Sequence, residues 1–93
     1  LKLLPTEVIL NDERFTTAFF AGGYYDNALE SINFLIQKNP GNIQYYFSRA
    51  SILNQLGRST AAIADLTKAG ELNPSAKNQA DFYIKQIREG KSI

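Results

Sequence analysis

The chain has 93 residues, a hydrophobic share of 44%, a charged share of 20%, and a net charge of +1 from 10 basic and 9 acidic side chains. A chain this short buries roughly 60 to 65% of its unfolded surface in one thin-cored domain; its composition argues against disorder and membrane insertion, and its charge against nucleic-acid binding. Histidine and cysteine are both absent, which removes disulfides, zinc sites, thiol nucleophiles and the side chain that titrates nearest neutrality, so neither a conventional enzyme nor a cofactor is expected.

The opening Leu1-Lys2-Leu3-Leu4-Pro5 is too short to be the apolar part of a signal peptide, and a chain beginning at Leu1 reads as an excised fragment or a processed product. Asn11 followed by Asp12 and Glu13 has the form of an N-cap with acids in the first turn, and Gly22-Gly23 supplies the left-handed backbone that ends a helix. A first helix is therefore expected over 12–21. From Tyr25 to Lys38 the apolar residues Ala28, Leu29, Ile32, Leu35 and Ile36 recur at spacings of three and four until Asn39-Pro40-Gly41 stops the run. Tyr45, Tyr46, Ala50, Leu53 and Leu56 form the stripe of a third helix that breaks at Gly57. Ala62, Ile63, Leu66 and Ala69 do the same for a fourth, with Ser59 as its cap and Asn73-Pro74 as its stop. A fifth helix is expected from about residue 75 to 89, with Ala80, Tyr83, Ile84 and Ile87 on the stripe that packs and Lys77, Asp81, Lys85 and Arg88 on the one that faces water.

These elements repeat. A shift of 34 residues brings Gly23 onto Gly57, Ala28 onto Ala62, Asn39 onto Asn73 and Pro40 onto Pro74, and it aligns Phe19, Leu53 and Ile87 in one apolar column. The second unit places Tyr46, Ala50, Leu53, Ala62, Leu66 and Pro74 in the order bulky, small, bulky, small, bulky, proline, with Arg49 just before the first small residue. In that order, and at that period, it resembles the tetratricopeptide repeat family. Ala50 and Ala62 are small enough to let two helices approach, while Tyr46, Leu53 and Leu66 fill the surrounding space. The first unit is a looser copy, with Asp12 in the aromatic slot and Thr16 in the small slot, so its first helix is expected to fray or sit unusually.

The resemblance implies an all-α right-handed superhelix, an α-solenoid of five antiparallel helices: a lead-in over 1–8, repeats over 9–42 and 43–76, and a capping helix over 77–93. Within it the helix pairs span 12–39 and 43–73, and the last helix about 75–90. The lead-in looks like the tail of a preceding repeat, one residue out of register. Arg49 stands where many repeats of the family have leucine, and a charge there is costly unless paired. Asp65 is its expected partner on the facing helix, because Phe15 and Ser31 occupy the two slots in the first unit, where both charges are missing together; two independent solvated charges are the alternative.

By the same resemblance the first helix of each unit lines a concave groove that holds a peptide or a partner helix. Here the groove is expected to be lined by Glu13, Thr17, Phe20, Gln44, Phe47, Ser51 and Asn54, continued by Asp81, Lys85 and Arg88. Phe20 and Phe47 read either as apolar anchors for a ligand or as cover for the edge of a thin core. The family's carboxylate clamp is absent, since the matching places hold Glu13, Thr17, Ser48, Asn78 and Phe82. The basic residues Lys77, Lys85, Arg88 and Lys91 read as a solvated face interrupted by Asp81 and Glu89, and the tyrosine pairs Tyr24-Tyr25 and Tyr45-Tyr46 as packing. The sequence holds no paired carboxylates, no phosphate-cradling loop and no serine beside a base.

The function expected is therefore a non-catalytic scaffold for a protein or peptide partner. The alternative is a structural role, by self-association through the N-terminal helix or by docking within a larger chain; exposed Phe20 and Phe47 favour the groove, while Val8, Ile9 and Leu10 favour an N-terminal contact. The compartment is left open.

Overall fold

The computed structural model describes residues 12–93, which form α1 (Glu13–Ala21), α2 (Tyr25–Lys38), α3 (Ile43–Gln55), α4 (Ser59–Leu72), a 3-10 turn (Pro74–Ala76) and α5 (Lys77–Arg88). No strand occurs among the described residues, so the fold class is all-α. The expectations for the 1–8 lead-in and for a contact through Val8, Ile9 and Leu10 fall outside the described residues.

Local chemistry explains where the helices start. Asp12 is the cap of α1, one residue later than the sequence suggested: its backbone is extended and its carboxylate accepts from the Arg14 amide at 2.9 Å. Asn42 caps α3 in the same way through the Gln44 amide at 3.0 Å. The expected cap Ser59 is instead the first residue of α4, whose cap position is Arg58 and carries no side-chain capping bond. Pro74 accounts for the late start of α5. With its fixed φ and missing N–H it opens a single 3-10 turn, whose entry is held by the Asn73 side chain accepting from the Ser75 amide at 3.1 Å.

The first, third and fifth helices end alike. Gly23, Gly57 and Gly90 have φ of +81°, +77° and +77°, a left-handed conformation that costs any residue with a Cβ. Each closes a paired turn: at Gly57, for example, the glycine amide donates to Asn54 O at 3.1 Å and the Arg58 amide donates to Leu53 O at 2.8 Å.

Each helix packs on the next in chain order. The approach is close because Ala28, Ala50 and Ala62 stand at the contacts, each 0% exposed. One cluster gathers Ala28, Ile32, Leu35, Ile36, Tyr46, Ile52 and Ala69, and a second gathers Ala50, Leu53, Ala62, Leu66, Ala80 and Ile87. Leu29 and Phe47 pack against both, so the core is continuous through the helices rather than divided between hairpins. Full burial of a side chain such as Ile32 or Leu66 contributes about 1.5–3 kcal/mol relative to exposure.

Candidate functional site

Three depressions run along the side of the molecule formed by α1, α3 and α5. The first lies between Thr16, Thr17 and Phe20 of α1 and Ser48, Ser51 and Ile52 of α3. A second continues it toward the start of α1, adding Glu13, Arg14, Gln44 and Tyr45, with Ile32 beneath. The third lies between α3 and α5, bounded by Gln44, Phe47, Ser48, Ser51, Gln79, Tyr83 and Ile93. Ser48 borders all three, so they form one groove with that exposed hydroxyl at its middle.

Six of the ten residues expected in the groove border these depressions: Glu13, Thr17, Phe20, Gln44, Phe47 and Ser51. Asn54 lies one turn beyond Ser51, half-buried, and its amide donates to Lys91 O at 3.1 Å. Asp81 sits elsewhere. It borders a separate depression between α4 and α5 with Thr67, Gly70 and Glu71, and its carboxylate pairs with Lys77 at 2.7 Å. Lys85 and Arg88 are exposed on α5, which turns Gln79 and Tyr83 toward the groove instead.

The two phenylalanines differ. Phe47 packs on both core clusters and meets the Tyr83 ring edge-on at 5.9 Å between centroids, so it is chiefly a packing residue with one edge on the groove. Phe20 stacks edge-on against Tyr25 at 5.5 Å and borders the first depression, the more apolar surface. Thr16, Tyr45, Gln79, Tyr83 and Ile93 also border the groove, beyond the ten residues expected there, as does Ser48, expected only at a matching place of the absent carboxylate clamp. Ser48 falls beside the expected stripe of α3, whereas Gln79 and Tyr83 lie on the face of α5 opposite Asp81, Lys85 and Arg88.

Charge is concentrated at one end. Burial, and then the adjacent Glu13 carboxylate, raise the Tyr45 hydroxyl above its ordinary range, so it remains a neutral hydrogen-bonding group. The Arg14 guanidinium beside Asp12 lowers that carboxyl below 3.8, its usual value, through contacts of 2.6 to 3.0 Å.

On the opposite side, Arg49 grips Asp65 through Nε at 2.8 Å and through a terminal nitrogen at 2.7 Å. Its other terminal nitrogen donates to Asn33 Oδ1 at 3.0 Å, and the guanidinium lies 5.7 Å from the Tyr46 ring centroid. The Asp65 bond raises Arg49 further above its usual pKa. Arg49 thus ties α2, α3 and α4 together, and its charge is consumed by the fold rather than offered to a ligand.

The groove offers hydroxyls, amides and aromatic edges, which can hydrogen-bond a peptide backbone and cover apolar side chains. Among the described residues no three acidic side chains gather as a metal site would require, and no helix is long and apolar enough to cross a membrane. Compared with protein-family models, curated proteins and solved structures, the chain has no significant match.

Proposed function

We propose that the chain is a tetratricopeptide-like stack of two helical hairpins and a capping helix, wound as a right-handed superhelix, and that it serves as a non-catalytic scaffold binding an extended peptide in the α1/α3/α5 groove. The 34-residue period and the alanine contacts support the architecture. The observation that carries the function is the groove itself, continuous across three helices and lined by backbone-binding groups beside Phe20.

The test is selection of peptides from a random display library against the chain, followed by binding to Ser48→Arg, which fills the groove at an exposed position without disturbing the core. The expected result is a loss of at least about tenfold in affinity, roughly 1.4 kcal/mol. Selected peptides that bind Ser48→Arg unchanged, or repeated selections that yield none, overturn the reading. A second reading, docking within a larger assembly, is favoured by Phe82, a large apolar side chain 55% exposed on α5. A Phe82→Ser change that abolishes peptide binding while Ser48→Arg does not moves the site to that end.

A further inference from the structure

After Gly23 and Gly57 the chain enters a second helix, α2 or α4, that covers the first. After Gly90 the same left-handed turn is made, and Lys91–Ile93 runs back along α3. Asn54 Nδ2 donates to Lys91 O at 3.1 Å, and Ser51 Oγ donates to Ile93 O at 3.5 Å. Gln55 Nε2 donates to Ser92 Oγ at 3.3 Å. The carbonyls of alternate residues, 91 and 93, therefore face the donors on α3, which is the repeat of an extended segment. Ile93 is half-buried against the second core cluster and forms a wall of the third depression with Phe47 and Tyr83. The Lys91 ammonium stays outside, paired with Glu89 at 2.9 Å.

We infer that Lys91–Ile93 occupies the α3/α5 end of the groove in cis, and that the ligand of that end is an extended segment bearing an aliphatic side chain, which binds by displacing it. This rests on the peptide-binding reading and names its ligand chemistry. The Asn54 amide and the Ser51 hydroxyl read only backbone carbonyls, so any extended segment satisfies them; the site that holds Ile93, beside the Phe47–Tyr83 ring pair, selects an aliphatic side chain. Two backbone hydrogen bonds and one half-buried isoleucine hold three residues, and the entropy of ordering those residues is of similar size, so the segment is held but displaceable. The depression at Thr17 and Phe20 stays open beside it, giving an incoming segment a first foothold.

The experiment compares the full chain with its Ile93→Asp variant, using acetyl-Glu-Gly-Lys-Ser-Ile-amide as the probe in trans and nuclear magnetic resonance as the readout. In the native chain the amides of residues 91 and 92 are expected to be ordered, with order parameters of about 0.85, and in Ile93→Asp to fall below about 0.6. The probe is expected to bind Ile93→Asp about tenfold more tightly than the native chain, the ratio for a segment docked nine-tenths of the time, and to shift the Ser51 and Asn54 signals. Mobile residues 91–93 in the native chain overturn the cis occupancy and leave the groove to its own library test. Ordered residues 91–93 with equal probe affinity for the two forms overturn the competition alone. No binding of probe or library peptide to either form overturns the competition and the peptide-binding reading together.

Discussion

The two hairpins solve the same burial problem with different chemistry. At corresponding positions on their second helices lie Ser31, 0% exposed, and Asp65, 6% exposed. Ser31 meets the buried Thr16 hydroxyl from α1, whereas Asp65 meets the Arg49 guanidinium from α3. One pair is neutral and short-limbed; the other is charged and reaches onward to Asn33 of the first hairpin. The lesson is that the slot tolerates any polar group that arrives with its partner, and that the charged solution also links consecutive units.

Breaking the charged pair is expected to have the largest effect. Arg49→Met leaves Asp65 buried without its cation, at a cost of about 3 kcal/mol, the low end of the range for such losses because the Arg49 side chain is 26% exposed. The urea midpoint measures it, and Arg49→Met combined with Asp65→Leu is expected to recover most of the loss. A single-mutant cost under about 1 kcal/mol would make the pair equivalent to a surface bridge and erase the contrast. Next come the alanine contacts. Ala28→Val and Ala62→Val, each placed where exposure is 0%, are expected to cost about 1–3 kcal/mol apiece by overpacking, and similar values in the two hairpins would show that their helices approach equally closely.

The neutral pair is expected to matter less. Thr16→Val leaves the Ser31 hydroxyl unpartnered at a cost of about 1–2 kcal/mol, while Thr16→Val with Ser31→Ala is expected to be nearly neutral in thermal unfolding. Smallest is the pH effect at Asp12. Because its folded pKa lies below the ordinary 3.8, it contributes stability fully above that value and loses it as pH falls through the folded pKa. Acid titration of an Asp12→Asn variant is expected to lack this component; an unchanged acid limb would assign the capping bond no ionic part.

Part of the site was legible before the fold. The joint replacement of Phe15 and Ser31 by Arg49 and Asp65 pointed to a contact, and the two side chains meet at 2.7 Å. Glu13, Thr17, Phe20, Gln44, Phe47 and Ser51, expected on the groove from the resemblance to tetratricopeptide repeats, border its depressions. Asp81 does not, because the angle at which α5 lies against α3 and α4 decides whether Gln79 and Tyr83 or Asp81 point inward. The return of Lys91–Ile93 onto α3 was equally hidden: three residues carry no periodicity, and their contacts bridge 37 to 42 positions of chain.

By itself, then, the sequence determined what acts within a few residues: helices ended by glycine and proline, apolar stripes at helical spacing, and a unit copied 34 positions on. Tertiary structure decided which polar groups meet, which face of the last helix joins the groove, and where residues 91–93 come to rest. The division follows from range. Backbone preferences and stripes are local energies written in consecutive side chains, whereas partner choice is set by helix rotation and close packing, which arise only when all five helices share one core.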